Sequence, residues 1–225
     1  MIKQRIVETN TGIQNQFTVE IFDQFARIMR DKGWNNVDQF IKVGIQKGNI
    51  LEIGPGPGYI GLEWLKVNPD STLTGLEIST EMIKTAKRNS KSYGLESSVH
   101  YVEGNCIHMP FENDTFDAVI SNGSLHEWES PIDAFNEIYR VLKPSGRFCI
   151  TDMRRDVSPF IKWFIYHSTK PKEIRPGFIT SFNASYTPAE LTQLLTKTSF
   201  TNFTIEKEFF GLCVYGSKCD SVNMD

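Results

Sequence analysis

With 225 residues, 40% of them apolar and 23% charged, the chain has material for one substantial core and too little for two ordinary domains. A formal net charge of −3 argues against a general nucleic-acid binder, which carries a basic balance or a basic stripe. No stretch approaches the ~20 apolar residues that span a bilayer, and Met1-Ile2-Lys3-Gln4-Arg5 lacks the apolar run of a signal peptide, so a cytoplasmic protein is expected. From Gln14 to Arg30 the residues Phe17, Ile21, Phe25, Ile28 and Met29 recur at helical spacing, and Gly33 follows as a stop. A second helix is expected from Val37 to Ile45. Residues 1–47 then form a helical cap that either covers a sheet edge or closes over a ligand, with Phe17 or Phe25 turned inward.

Ile50, Leu51 and Ile53 make the apolar run of a strand buried on both faces, with Glu52 its one charged member. The run stops at Gly54-Pro55-Gly56-Pro57-Gly58, where glycine at alternate positions permits positive φ and lets a ligand approach the backbone closely. From Tyr59 to Val67 the pattern is helical, so the loop opens onto a helix N-terminus. A loop that merely turns the chain is the alternative. Glu52-Ile53-Gly54-Pro55-Gly56-Pro57-Gly58 resembles the first motif of class I S-adenosylmethionine-dependent methyltransferases, acidic-x-G-x-G-x-G. The overlapping Gly56-Pro57-Gly58-Tyr59-Ile60-Gly61 also satisfies the dinucleotide pattern G-x-G-x-x-G, which keeps a nicotinamide-dependent oxidoreductase open.

The next strand, Thr72 to Leu76, ends at Glu77, on the same rim as the glycine loop if the two strands are parallel. A carboxylate there can accept both hydroxyls of an adenosine ribose; otherwise it supplies an N-terminal charge to the following helix. That helix runs from the N-cap Ser79 to Tyr93 and stops at Gly94. After a strand over Val99 to Val102, the segment Gly104-Asn105-Cys106-Ile107-His108-Met109-Pro110-Phe111 resembles the family's G-D-A-x-x-L-P-F. Asn105 replaces the usual acid and Cys106 the usual alanine. Phe116 to Ile120 is a further strand, with Asp117 at its start and therefore structural, and Ser121 to Trp128 on the ligand rim. Pro131 opens a helix, and AFNEIYRVLKPSG over 134–146 matches the family's A-x-x-E-x-x-R-V-L-K-P-G-G, ahead of a strand from Arg147 to Thr151. The resemblance implies S-adenosyl-L-methionine as cofactor. It places the cofactor on Glu52, Gly54, Pro55, Gly56, Gly58, Glu77, Ile78, Met82, Gly104, Asn105, Cys106, Ser121, Asn122 and Gly123.

Residues 153–186 are read as a lid and substrate segment, with a lid helix over Phe160 to Tyr166 and Trp128, Arg154, Arg155, Trp163 and Tyr166 as substrate candidates. The two arginines either pair with an anionic substrate or belong to a solvated face. His126 is the candidate general base, set against an ordinary packing role. No metal site is expected: the acids do not cluster on one rim, the four histidines are dispersed, and Cys106, Cys149, Cys213 and Cys219 form no C-x-x-C pair. Thr187-Pro188-Ala189-Glu190 enters a last helix, and Phe203 to Phe210 with Leu212 to Tyr215 form two strands about Gly211. The polar tail over 218–225 is expected to fray.

The fold class expected is α/β, a doubly wound seven-stranded mostly parallel sheet with a C-terminal antiparallel hairpin. It is divided into the cap over 1–47, a cofactor core over 48–152, the lid segment over 153–186 and a final helix and hairpin over 187–225. The expected function is methyl transfer to a small-molecule acceptor, producing S-adenosyl-L-homocysteine. A regulatory protein that binds S-adenosylmethionine without turnover is the second reading.

Overall fold

A computed structural model describes residues 4–8 and 12–220 of the chain. Among the described residues seven strands form one sheet: β1 (Asn49–Ile53), β2 (Thr72–Glu77), β3 (Val99–Glu103), β4 (Phe116–Asn122), β5 (Leu142–Met153), β6 (Phe203–Lys207) and β7 (Gly211–Ser217). Their order is β3-β2-β1-β4-β5-β7-β6. The first five are parallel, and β7 runs antiparallel to both β5 and β6. This is the doubly wound sheet with a closing hairpin that the sequence predicts. Among the described residues the helices are α1 (Gln16–Asp31), α2 (Val37–Lys42), α3 (Tyr59–Val67), α4 (Thr80–Tyr93), α5 (Pro131–Val141), α6 (Pro159–Ser168), α7 (Arg175–Ala184) and α8 (Pro188–Leu195).

The period of two along β1 divides the core. Leu51 and Ile53 pack with Phe135 and Ile138 of α5 and Leu191 and Leu195 of α8 on one face of the sheet. Ile50 packs with Phe40 of α2 and Trp64 and Leu65 of α3 on the other. Both faces are covered, which is why β1 reads as a continuous apolar run. Glu52 shares the α3 face with Ile50, and there it meets Gly61. A Cβ on Gly61 would lie 2.3 Å from Glu52 Oε2 and 2.4 Å from Leu73 Cδ2, so α3 sits on the sheet only because that residue has no side chain. Gly61→Ala is expected to cost about 1–3 kcal/mol of stability through overpacking. Urea unfolding with an unchanged slope and a lower midpoint would register it, and an unchanged midpoint would refute the contact.

Helix ends follow local chemistry. Ser79 Oγ accepts from the Met82 N–H at 3.2 Å at the start of α4, and Gly94 ends the helix at φ +67°. Thr187 and Glu190 form a reciprocal capping box on α8. α1 begins at Gln16, two residues later than expected, because the Asn15 side chain caps it. α2 ends at Lys42 rather than Ile45, since the chain turns through Gly44 at φ +89°.

The segment after β5 departs most from expectation. α6 buries none of its residues; Phe160 is 72% exposed and Trp163 58%. The element that faces the interior is α7, whose Arg175-Pro176-Gly177 start looks like a loop. Proline fits there because the first turn of a helix has no N–H bond to lose. The expected fraying of the tail concerns, for residues 221–225, a part of the chain outside the described residues. No helix among the described residues is long and apolar enough to cross a membrane.

Candidate functional site

β1 is flanked by β2 on one side and β4 on the other, and the strand order reverses between β1 and β4. In an open parallel sheet the crevice beyond the carboxyl ends of such strands is where ligands bind. A cavity of about 1130 Å³ opens there. Its wall takes Gly54, Pro55 and Gly56 from the loop after β1, Glu77, Ile78 and Met82 from the end of β2 and α4, and Gly104, Asn105 and Cys106 from beyond β3. Asn122, Gly123, His126 and Trp128 complete it from beyond β4. Gly54 and Gly56 adopt φ of +65° and +54°, and a Cβ on Gly54 would lie 2.7 Å from Ser124 Cβ. Glu77 closes the other side of the loop: Oε2 accepts from the Gly56 N–H and Oε1 from the Ser79 N–H, both at 3.0 Å. Burial raises the pKa of this carboxyl, and the N–H groups of Ser79, Gly56 and Ile78 oppose the rise.

Three residues expected at the cofactor do not line the cavity. Glu52 points away from it toward α3, as the strand period requires, and burial pushes its carboxyl up to about 8 against the single opposing N–H of Gly61. Its Oε2 is buried without a partner. Gly58 serves packing, because a Cβ there would lie 2.5 Å from the Tyr101 hydroxyl. Ser121 stitches strands together by donating its hydroxyl to the Ile53 carbonyl at 2.8 Å. Among those that do line the cavity, Asn105 Oδ1 accepts from the Ile107 N–H at 3.1 Å, and Cys106 is a protonated thiol, pushed up to about 12 by burial. Trp128 lies edge-on to Phe135 at 5.6 Å and donates its indole N–H to Ser124 Oγ, so most of its ring belongs to the core.

The substrate candidates beyond β5 lie off the cavity wall. Arg154 is paired with Asp156 at 2.7 Å and donates to the Glu208 carbonyl. Arg155 is buried, donating to the Ser185 carbonyl and to Glu190. Acids of this chain already engage both guanidinium groups, which removes the basis for an anion-binding role. Trp163 and Tyr166 border a separate groove between α6 and α7, shared with Phe178 and Phe182.

His126 does face the cavity, but its chemistry differs from the expected base. Its Nδ1 is 2.9 Å from Asp152 Oδ1, and its backbone N–H donates to Oδ2 of the same carboxylate at 2.7 Å. Burial acts to lower the imidazole pKa, and Asp152 overrides it, raising the value to about 9. At neutral pH the ring keeps its proton and cannot accept another. Asp152, at the end of β5, went unrecognised in the sequence because the pair forms only when β4 and β5 lie side by side.

The cap contributes more than edge cover. Phe17, Phe22 and Phe25 of α1 line the cavity, and Phe25 meets Phe178 of α7 edge-on at 5.5 Å. A buried acid on α1, Asp23, accepts from the Tyr59 hydroxyl at 3.1 Å and from the Asn89 amide at 2.9 Å, while Asn89 also holds the Pro57 carbonyl of the glycine loop. Residues 4–8 cross the same side. Arg5 donates to the carbonyls of Ala184 and His126, and the Ile6 N–H donates to the Asn183 carbonyl. This crossing brings Glu8 beside His126 and Glu127, with one potential ligand atom from each lying within 4.8 Å of the others. The expectation that no acids gather on the rim with a histidine is therefore corrected.

Residues 51–150 match the family described as a methyltransferase domain. An uncharacterized methyltransferase of Bacillus subtilis, YdaC, is 36% identical over 121 residues, covering 52% of this chain and 65% of that protein. A demethylmenaquinone methyltransferase of Symbiobacterium thermophilum is 28% identical over 169 residues, covering 69% of this chain and 67% of that one. The chain thus spans about two thirds of the length of these curated relatives. The crystal structure of a candidate S-adenosyl-L-methionine-dependent methyltransferase from Methanococcus maripaludis superposes with a TM-score of 0.75 at 22% identity, over 97% of this chain and 100% of that one. Residues 51–150 thus match a methyltransferase domain, and the chain as a whole carries the fold of the solved methyltransferase-like structure.

Proposed function

We propose that the protein transfers the methyl group of S-adenosylmethionine to a small, largely apolar acceptor. The observation that carries this is the size and mixed lining of the cavity. At about 1130 Å³ it exceeds the ~300–1,000 Å³ usual for a single small ligand, leaving room for a donor and an acceptor together. The wall combines the glycine loop, Glu77, Ile78, Met82 and Asn105 with the aromatic rings of Phe22, Phe25, Trp34, Phe178, Phe209 and Phe210.

The residues fit the cofactor. Gly54 and Gly56 keep the backbone bare where the amino-acid portion would approach, and Glu77 retains lone pairs for ribose hydroxyls after accepting two N–H groups. Ile78 and Met82 offer apolar surface to an adenine. When bound, S-adenosylmethionine supplies a methyl group already activated as a sulfonium, so the transfer is an in-line displacement and the chain's work is alignment. The aromatic rings exclude water and orient the acceptor. Asn122, held by Asn36 at 2.6 Å and Thr151 at 2.7 Å, fixes the loop after β4.

Incubating the protein with S-adenosylmethionine and a panel of phenols, quinols and other small apolar acceptors is expected to yield S-adenosylhomocysteine with acceptor-dependent kinetics. Tight cofactor binding with no S-adenosylhomocysteine across the panel would instead favour a binder without turnover. Failure to bind the cofactor while binding a nicotinamide dinucleotide would overturn the proposal.

A further inference from the structure

We infer that Glu8, His126 and Glu127 form a divalent-metal site in the cavity wall, with one imidazole nitrogen and two carboxylate oxygens as protein ligands. Three features point to it together. His126 Nε2 lies 3.6 Å from Glu8 Oε2 and 3.8 Å from Glu127 Oε1. Ligands about 2.1 Å from a tetrahedral metal sit ~3.4 Å apart; both nitrogen–oxygen separations lie within a few tenths of an ångström of that, and all three atoms lie within 4.8 Å of one another. The second feature is Glu8 itself: its Oε1 accepts from the Thr180 hydroxyl, whereas Oε2 is buried without a hydrogen-bond partner. A buried carboxylate oxygen left unsatisfied is costly unless something else occupies it.

The third feature is how His126 is held. Asp152 faces Nδ1, and a carboxylate can only accept there, so the ring keeps Nδ1–H and turns Nε2 toward the two glutamates, where an ion binds by displacing the Nε2 proton. Carboxylate to imidazole to metal is a recurrent outer-shell arrangement, since it fixes the ring and strengthens the nitrogen as a ligand. The donor set of one nitrogen and two oxygens, without thiolate, suits zinc, manganese, cobalt or ferrous iron. Glu8, His126 and Glu127 all line the main cavity, so positions left open by three protein ligands face that cavity. An oxygen of the acceptor, a phenol or an enolisable carbonyl, would fill one of them, and the cation would favour its deprotonated form. That last step rests on the function proposed above; metal binding does not.

The test uses the full chain stripped with chelator and titrated with Zn²⁺, and with Co²⁺ as a coloured substitute. Wild-type protein is expected to bind one ion per chain with a rise in melting temperature, and to show cobalt bands without a thiolate charge-transfer band. Glu8→Gln and Glu127→Gln should each weaken binding by at least ~10-fold, with metal-free melting unchanged. Glu173→Gln, a cavity carboxylate outside the cluster, should bind as wild type. Zinc affinity equal in all variants, a thiolate band, or no binding would each overturn the site. S-adenosylhomocysteine formation is measured separately. If turnover is acceptor-dependent but indifferent to chelator, the metal's part in acceptor binding is wrong while the methyltransferase reading stands.

Discussion

Glu77→Ala is expected to raise the dissociation constant for S-adenosylmethionine about 100-fold. Two charge-assisted hydrogen bonds to a ribose, at ~1.5–3 kcal/mol each, correspond to at least that factor when a decade is ~1.4 kcal/mol. The substitution also frees the Gly56 N–H, so the glycine loop loses the acceptor that holds it at 3.0 Å. Glu77→Gln keeps one carbonyl oxygen and the shape, and should lose only about 10-fold. Asp117 provides the control. It lies at the opposite rim, accepting from the Asn49 N–H and from Lys143, both at 2.7 Å, so Asp117→Asn should leave affinity unchanged even if stability falls. Calorimetric titration of the three variants, with melting curves to confirm folding, decides the matter. Wild-type affinity in Glu77→Ala would remove the carboxylate from the cofactor site.

The second large effect is on stability and concerns Glu52. Its carboxyl is pushed up to about 8 in the fold, from an ordinary value of 4.5. Between those values the folded chain holds more protons than the unfolded one. The contribution is therefore complete below about pH 4.5 and is lost as pH rises through about 8. Within that window the loss approaches ~1.4 kcal/mol per pH unit, several kcal/mol over the whole span. Glu52→Gln should flatten the dependence and leave the protein more stable than wild type near pH 8, because the amide mimics the protonated acid and still accepts from Gly61. Subtracting the two urea-midpoint profiles isolates Glu52 from His126, whose raised pKa tilts stability the same way. Parallel profiles would show that Glu52 is not protonated in the fold.

What could be read from the sequence was local. The glycine loop, the Ser79 and Thr187 caps and the Gly94 stop each depend on residues within a few positions, and all lie where the spacing put them. The doubly wound sheet and its closing hairpin were expected from the alternation of strand and helix patterns together with the family resemblance. What escaped detection was long-range pairing. Asp152 charges a histidine 26 residues earlier, Asp23 anchors Asn89 across 66, and Glu8 reaches the same histidine only because the chain doubles back over α7. Glu52 was misplaced for a subtler reason. The acidic-x-G-x-G-x-G pattern marks it beside the glycines, while the strand's period of two turns it to the other face. Arg154 and Arg155 suggested an anion site because their partners Glu190, Asp156 and the Glu208 carbonyl cannot be inferred from a local charge balance.

The segment over residues 4–8 is lightly fastened. It is joined to α7 and to the turn at His126 by a handful of hydrogen bonds and by Arg5 stacked on Tyr186 at 4.2 Å, while the Phe25 and Phe178 rings meet alongside. Such a seam opens at far lower cost than the sheet beneath it. Of the elements around the cavity this strap is therefore the first expected to loosen, leaving the strands undisturbed.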